Sequence, residues 1–151
     1  MKHTELEFDT YKVVIPRRLD LRKVYIEITN RCNLNCRMCF RKFWNSPLGE
    51  MPFEGFREII GQLREFPDIK TIYLGGIGEP TIHPDFIRMV RLVRDEGYSL
   101  EFGTNGTTLS QMADALVDYG VEKIMISIDA PEEAVYRDIR GTDFAGVVDN
   151  V

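Results

Sequence analysis

Lys23-Val24-Tyr25-Ile26-Glu27-Ile28-Thr29 runs, after Asn30 and Arg31, into Cys32-Asn33-Leu34-Asn35-Cys36-Arg37-Met38-Cys39. The first stretch is rich in β-branched and aromatic residues and reads as a strand; the second reads as a loop at its carboxyl end. All three cysteines of the chain lie within these eight residues. An odd, clustered set argues against a disulfide framework. Thiolates are soft ligands that select zinc, copper(I) or iron–sulfur clusters. A structural zinc site wants four protein ligands, and the two histidines, His3 and His83, are distant in sequence. A [4Fe–4S] cluster normally takes four thiolates, so three would leave one iron open to a small molecule. A Cys3His zinc knuckle completed by His83, or three reduced surface thiols, are the alternatives. Arg31, Arg37, Arg41 and Lys42 surround the cysteines and would offset an anionic thiolate centre.

The same alternation continues downstream. Phe53, Phe56, Ile59, Ile60 and Leu63 form one apolar stripe of a helix opened by Pro52 and Glu54. Thr71-Ile72-Tyr73-Leu74 is a second strand, ending in Gly75-Gly76-Ile77-Gly78-Glu79-Pro80. A helix from about Asp85 carries Phe86, Met89, Val90 and Val93 and stops near Gly97. Ser99 to Thr104 is a third strand, followed by Asn105-Gly106. Ser110 is expected to cap a helix bearing Met112, Leu116 and Tyr119. Lys123 to Ile128 is a fourth strand, and helical segments start at Pro131 and Phe144. Strands alternating with helices predict an α/β fold, a parallel sheet of about four βα units. Such sheets bind ligands at the carboxyl ends of their strands. The cysteines, the glycines with Glu79, Thr104-Asn105-Gly106, Ser127 and Asp129 all fall at or near those ends. Glu27 and Glu101 interrupt apolar strands and are expected to face inward, because a charge under the helices would be costly. His83 is expected to cap the second helix.

With 151 residues, the chain is one domain's worth. A closed eight-unit barrel needs about 250 residues, so the sheet is either open or part of a longer chain, and the second is expected. Residues 1–20 are expected to be an N-terminal extension and residues 21–151 a core domain incomplete at its C-terminus. At 44% hydrophobic and 28% charged, composition excludes a disordered tail, a fibre and a disulfide-dense mini-protein. No stretch matches a membrane span or a secretory signal, which points to a cytoplasmic chain without a membrane partner. The net charge of −5 disfavours general nucleic-acid binding.

The C-x3-C-x2-C spacing of Cys32, Cys36 and Cys39 resembles the signature of the radical S-adenosylmethionine (radical SAM) superfamily, and the resemblance runs from about Val24 to Val151. It implies a partial TIM barrel of which this chain supplies the first half. It implies that the three thiolates bind three irons of a [4Fe–4S] cluster and that S-adenosyl-L-methionine chelates the fourth. Reductive cleavage of the sulfonium then gives a 5′-deoxyadenosyl radical that abstracts hydrogen from substrate. Met38 occupies the position that packs near the adenine in the family, and Phe40 follows the last cysteine. Gly76-Ile77-Gly78-Glu79 resembles the glycine–glutamate motif; its more common form is Gly-Gly-Glu, which Ile77 interrupts. Glu79 would accept from the methionine ammonium. Ser127 matches a position that contacts the methionine carboxylate or ribose, and Arg140 resembles an arginine that grips the carboxylate. Asn105 is either a turn residue or a ligand. A reductant such as ferredoxin or flavodoxin is implied as a partner.

Within the superfamily, the cysteine loop and the Gly-x-Gly-Glu-Pro form are similar to SPASM-type maturases. Cys39-Phe40-Arg41-Lys42-Phe43-Trp44 with Gly75–Pro80 is similar to maturases linked to tungsten-containing oxidoreductases. That likeness implies a peptide, protein or cofactor-precursor substrate. Glycyl-radical activating enzymes and molybdenum-cofactor cyclases share the three-cysteine signature. The competing readings are a non-catalytic iron–sulfur electron carrier and a zinc-stabilised binding module. The face formed by Gly76–Pro80, Ser127 and Arg140 speaks for the enzyme, because a carrier has no use for it. An incomplete barrel is expected to turn over slowly or not at all.

Overall fold

Four short strands pair in parallel and in chain order: β3 (Lys23–Ile26), β4 (Thr71–Leu74), β5 (Ser99–Thr104) and β6 (Lys123–Ile126). The computed structural model describes residues 3–16 and 20–151. Helix α1 (Phe53–Gln62) connects β3 to β4, α2 (Phe86–Asp95) connects β4 to β5, and α3 (Ala113–Asp118) connects β5 to β6. Two further helices, α4 (Glu133–Arg140) and α5 (Phe144–Asp149), follow β6. The register sets Tyr25 beside Tyr73, Tyr73 beside Glu101, and Gly103 beside Met125.

Side chains alternate across this sheet with a period of two. Ile26, Ile72, Leu74, Leu100 and Phe102 are buried under the helices, against Phe56, Ile60, Phe86, Met89, Val90 and Val93. Phe86 meets Phe102 edge to face, ring centroids 5.1 Å apart. Helices of ten residues are marginal on their own, so this packing holds them; each fully buried large side chain contributes about 1.5–3 kcal/mol. The other face carries polar and aromatic groups. There Lys23 Nζ lies 2.5 Å from Glu101 Oε2 and 5.2 Å from the ring centroids of Tyr25 and Tyr73. Glu101 therefore stands on the face away from the helices, as expected, with its charge matched by Lys23.

Several boundaries differ from the sequence reading. β3 stops at Ile26, not Thr29; the Ile26 carbonyl accepts the last bond to its neighbour, from Gly75 N–H at 3.2 Å. β6 stops at Ile126; Ser127 N–H then reaches the Thr104 carbonyl at 2.9 Å. Ser110 does not cap α3: its hydroxyl donates to Asn150 Oδ1 at 2.6 Å, and a 3-10 turn over Leu109–Gln111 precedes the helix. Within the expected extension 1–20, β1 (His3–Glu7) and β2 (Lys12–Pro16) form an antiparallel hairpin with a sheet of its own. Phe8 and Tyr11 stack at its turn, 4.7 Å apart. Arg17 and Arg18 lie outside the described residues. Among the described residues no helix is long and apolar enough to cross a membrane.

Candidate active site

The cysteine loop is fastened at its base. Asn30 side-chain Oδ1 accepts from Gly49 N–H at 2.7 Å, its Nδ2 donates to the Pro47 carbonyl at 3.0 Å, and Thr29 Oγ1 donates to the Gly49 carbonyl at 3.1 Å. Arg41 Nη2 donates to the Leu34 carbonyl at 2.6 Å and closes the loop on itself. Arg37 N–H donates to the Ile139 carbonyl at 2.8 Å and ties the loop to α4. The three thiols are free, Cys36 buried and Cys32 and Cys39 half-buried.

These thiols border a cavity of about 220 Å³ at the carboxyl ends of the strands. Of the residues expected at the site, Cys32, Cys36, Cys39, Gly76, Gly78, Glu79, Asn105, Ser127 and Arg140 all line it. Met38 and Phe40 are not among its lining residues and stand 51% and 62% exposed on the outside of the loop. Thr104, expected at the strand ends, also lines the cavity, as do Leu34, Tyr73 and Gly103, which the sequence reading passed over. A lone glycine inside a strand signals close approach. Gly103 is such a case, since a Cβ there would lie 2.5 Å from the Tyr73 hydroxyl.

Glu79 is 3% exposed and follows the turn after β4. Its Oε1 accepts from Thr81 N–H at 3.2 Å, Thr81 Oγ1 at 2.6 Å and Thr104 Oγ1 at 2.7 Å; its Oε2 accepts from Asn105 N–H at 2.6 Å. One buried carboxylate thus joins the ends of β4 and β5. The glycine turn beside it is held by Glu27, whose Oε1 accepts from Ile77 N–H and, at 3.4 Å, from Gly78 N–H. Glycine is required at two places here. A Cβ on Gly76 would overlap the Glu27 carboxylate, and one on Gly78 would overlap the Thr29 carbonyl oxygen and lie 2.6 Å from that of Arg31.

Hydrogen-bond donors already point at two of the thiols. Cys32 Sγ accepts from Leu34 N–H at 3.4 Å and from Asn105 Nδ2 at 3.8 Å, and Cys36 Sγ accepts from Arg140 Nη1 at 3.8 Å. Burial pushes the Cys32 thiol pKa up, and the Glu79 charge adds to this, against the Leu34 N–H bond, Arg41 and Asn105. A bound cation would reverse that balance. Asn105 is a turn residue: its Oδ1 accepts from Thr107 N–H at 3.0 Å, while its Nδ2 donates to Asn33 Oδ1 at 2.8 Å and lies 3.8 Å from Cys32 Sγ. Arg140 pairs with Asp129. Burial opposes its charge, but the Asp129 hydrogen bond and charge outweigh that and raise its pKa.

His83 is not available as a fourth ligand. Its Nδ1 accepts from Asp85 N–H at 3.0 Å, so Nε2 carries the proton and donates to the Met51 carbonyl at 3.0 Å. This fastens the approach to α2, close to the capping role expected. Among the described residues no three His, Cys, Asp or Glu side chains gather closely enough to hold a single metal ion. The donor set, three soft thiols around a shared cavity with N–H groups aimed at them, fits a thiolate-bound cluster with an anion-tolerant shell.

Comparison with known proteins agrees with this geometry. The family model described as "Radical SAM superfamily" matches residues 26–151. The tungsten-containing aldehyde ferredoxin oxidoreductase cofactor-modifying protein of Pyrococcus furiosus is 42% identical over 128 residues, covering 84% of this chain and 36% of that protein. A probable GTP 3',8-cyclase of Pyrococcus abyssi is 35% identical over 118 residues, covering 78% of this chain and 38% of that protein. The chain thus spans a little over a third of the length of these curated relatives. Streptococcus suis SuiB bound to S-adenosylmethionine shares the fold, with a TM-score of 0.72 at 16% identity over 86% of this chain and 29% of SuiB.

Proposed function

The chain belongs to the radical SAM superfamily, and from that premise we propose that it is the cluster-binding part of an enzyme that modifies a peptide, protein or cofactor precursor, in the manner of a maturase. The observation that supports this most is the common cavity: three cysteine thiols, Glu79, Ser127 and Arg140 border one space at the strand ends. Cys32, Cys36 and Cys39 would hold a [4Fe–4S] cluster. Gly76, Gly78, Glu79, Asn105, Ser127 and Arg140 would border S-adenosyl-L-methionine, whereas Met38 and Phe40 stand outside the cavity. Together the cluster and S-adenosyl-L-methionine supply reductive cleavage of the sulfonium and a 5′-deoxyadenosyl radical.

The chain's own residues bind and shield. Leu34 N–H and Asn105 Nδ2 steady the Cys32 thiolate, and Arg140 offsets charge at Cys36. Glu79, held by four donors, is a fixed acceptor in the cavity wall, suited to an ammonium. Gly76 and Gly78 keep the wall thin enough for close approach. Residues 21–151 form the core domain in this reading, and 1–20 an extension. The likeness to the Pyrococcus furiosus protein favours a cofactor as the substrate to test first. A one-electron donor such as ferredoxin or flavodoxin would reduce the centre, and free thiols suit a cytoplasmic setting.

Anaerobic reconstitution tests the proposal. The expected result is about four irons and four sulfides per chain on three cysteine ligands, and an electron paramagnetic resonance spectrum that changes when S-adenosylmethionine is added. Replacing any one of Cys32, Cys36 or Cys39 by Ala should abolish the cluster. Stoichiometric zinc without sulfide would overturn the assignment, and an unchanged spectrum at saturating ligand would favour an electron carrier.

A further inference from the structure

Tyr136 is completely buried, and its hydroxyl is the buried side-chain polar atom that has no hydrogen-bond partner among the described residues. Buried hydroxyls are nearly always satisfied, so an orphan calls for an explanation. Tyr136 stands on α4, one turn before Arg140. Residues four apart share a helix face, and Arg140 Nη1 lies 3.8 Å from Cys36 Sγ. The cysteine loop is pinned to this same helix by Arg37 N–H on the Ile139 carbonyl at 2.8 Å. Cys36 is itself 7% exposed.

Tyr136 is not among the residues lining the cavity, whereas Cys36 and Arg140 are. Its hydroxyl therefore does not open onto the cavity, and it makes no hydrogen bond to the Cys36 sulfur in the cluster-free chain. Its ring is held by Phe144, centroids 5.1 Å apart. Burial pushes its pKa up, and the charges that reach it include Arg140, Asp129 and Cys36. The group is therefore a protonated donor, within electrostatic reach of a thiol that becomes a thiolate when a cluster binds.

We propose that Tyr136 is a positioning residue for the cluster: once the centre assembles, its hydroxyl, on the helix face that brings Arg140 to Cys36, donates a hydrogen bond to the sulfur of Cys36. This rests on the cluster assignment above and deepens it. The bond favours the more negative, reduced centre, because donors to cluster sulfurs raise the reduction potential. It also explains why a tyrosine is held where a phenylalanine would pack equally well in the empty protein.

Tyr136→Phe in the full chain separates the possibilities, since it keeps the ring and removes only the oxygen. Three quantities are measured anaerobically: iron and sulfide content, midpoint potential of the reconstituted centre, and urea midpoint of the cluster-free protein. The expected result is wild-type iron and sulfide, a midpoint potential shifted to more negative values, and a cluster-free protein at least as stable as wild type. An unchanged potential with full cluster content overturns the inference while leaving the function standing. A variant that takes up no cluster makes Tyr136 an assembly residue and overturns it too. So does a cluster-free Tyr136→Phe protein less stable than wild type, because the hydroxyl would then already have a partner. Wild-type protein that takes up no iron and sulfide overturns the functional reading itself, and this inference with it.

Discussion

Replacing Glu79 by Gln should destabilise the cluster-free protein by about 3–5 kcal/mol, the sum of two effects. The carboxylate accepts four hydrogen bonds in a site 3% exposed. An amide has one acceptor oxygen, so the two ends of the side chain are no longer equivalent. If its oxygen takes the Oε1 position, the NH2 group faces the buried Asn105 N–H, donor against donor. In the flipped orientation, the NH2 group faces Thr81 N–H and the two threonine hydroxyls. Thr81 Oγ1 already accepts from Thr108 Oγ1 at 2.7 Å, and Thr104 Oγ1 accepts from Gly106 N–H at 3.1 Å. Those hydroxyls could turn to accept from the amide, but Thr81 N–H would remain unpaired. Either way one buried backbone donor is stranded, which costs about 1–3 kcal/mol. The two hydroxyl bonds also lose their charge assistance, worth roughly 1 kcal/mol each.

That loss is a large fraction of the ~5–15 kcal/mol that holds a domain of this kind together. Urea unfolding followed by circular dichroism, under anaerobic conditions and without cluster, measures it directly. The exposed Glu58→Gln is the control, with an expected change within about 0.5 kcal/mol. Glu79→Ala, which removes every acceptor, should be worse than Gln. If Glu79→Gln unfolds within about 0.5 kcal/mol of wild type, the joining of β4 to β5 through this carboxylate is wrong.

Gly78→Ala should abolish or sharply reduce cluster uptake, because its Cβ would press on the Thr29 and Arg31 carbonyls that lead into Cys32; full iron and sulfide content would contradict this. Phe102→Ala should lower stability by about 3–5 kcal/mol in the same unfolding assay, since Phe102 is fully buried and edge-on to Phe86. The Glu101 hydrogen bond raises the Lys23 pKa above its ordinary value, against a smaller opposing effect of burial. A raised folded pKa means that the pair's contribution is complete below the ordinary lysine range and fades as pH climbs through the raised value. Wild type should therefore lose more stability than Lys23→Met between about pH 9 and 12, and parallel pH profiles would refute the pairing.

What could be read from the sequence was what repeats locally. The four core strands and the first two helices announce themselves by period, and the three cysteines by spacing. The strand ends were harder, because they are set by partners far along the chain. Ile26 and Thr104 give their carbonyls to Gly75 and Ser127, and no window of neighbouring residues reveals that. The hairpin over His3–Pro16 was hidden for a related reason. Its apolar residues Leu6, Val13, Val14 and Ile15 are all exposed, so they show no clean inward–outward alternation.

The site divides along the same line. Glycines, a glutamate and an arginine are conspicuous as residue types and were found. Thr81, and the bond from Thr104 to Glu79, were not, because a threonine at a strand end is ordinary β-former composition. Their role exists only once β4 and β5 are paired and Glu79 turns between them. Tyr136 is the furthest case. In sequence it is one apolar residue on a helical stripe; its meaning lies in a buried oxygen without a partner, one helical turn from the arginine that meets a cysteine 104 residues earlier. Residues that touch a ligand leave a trace in residue type, whereas residues that hold those residues leave theirs in burial and unfilled hydrogen bonds. The second group has to be sought in the structure, and it is there that this site is most open to experiment.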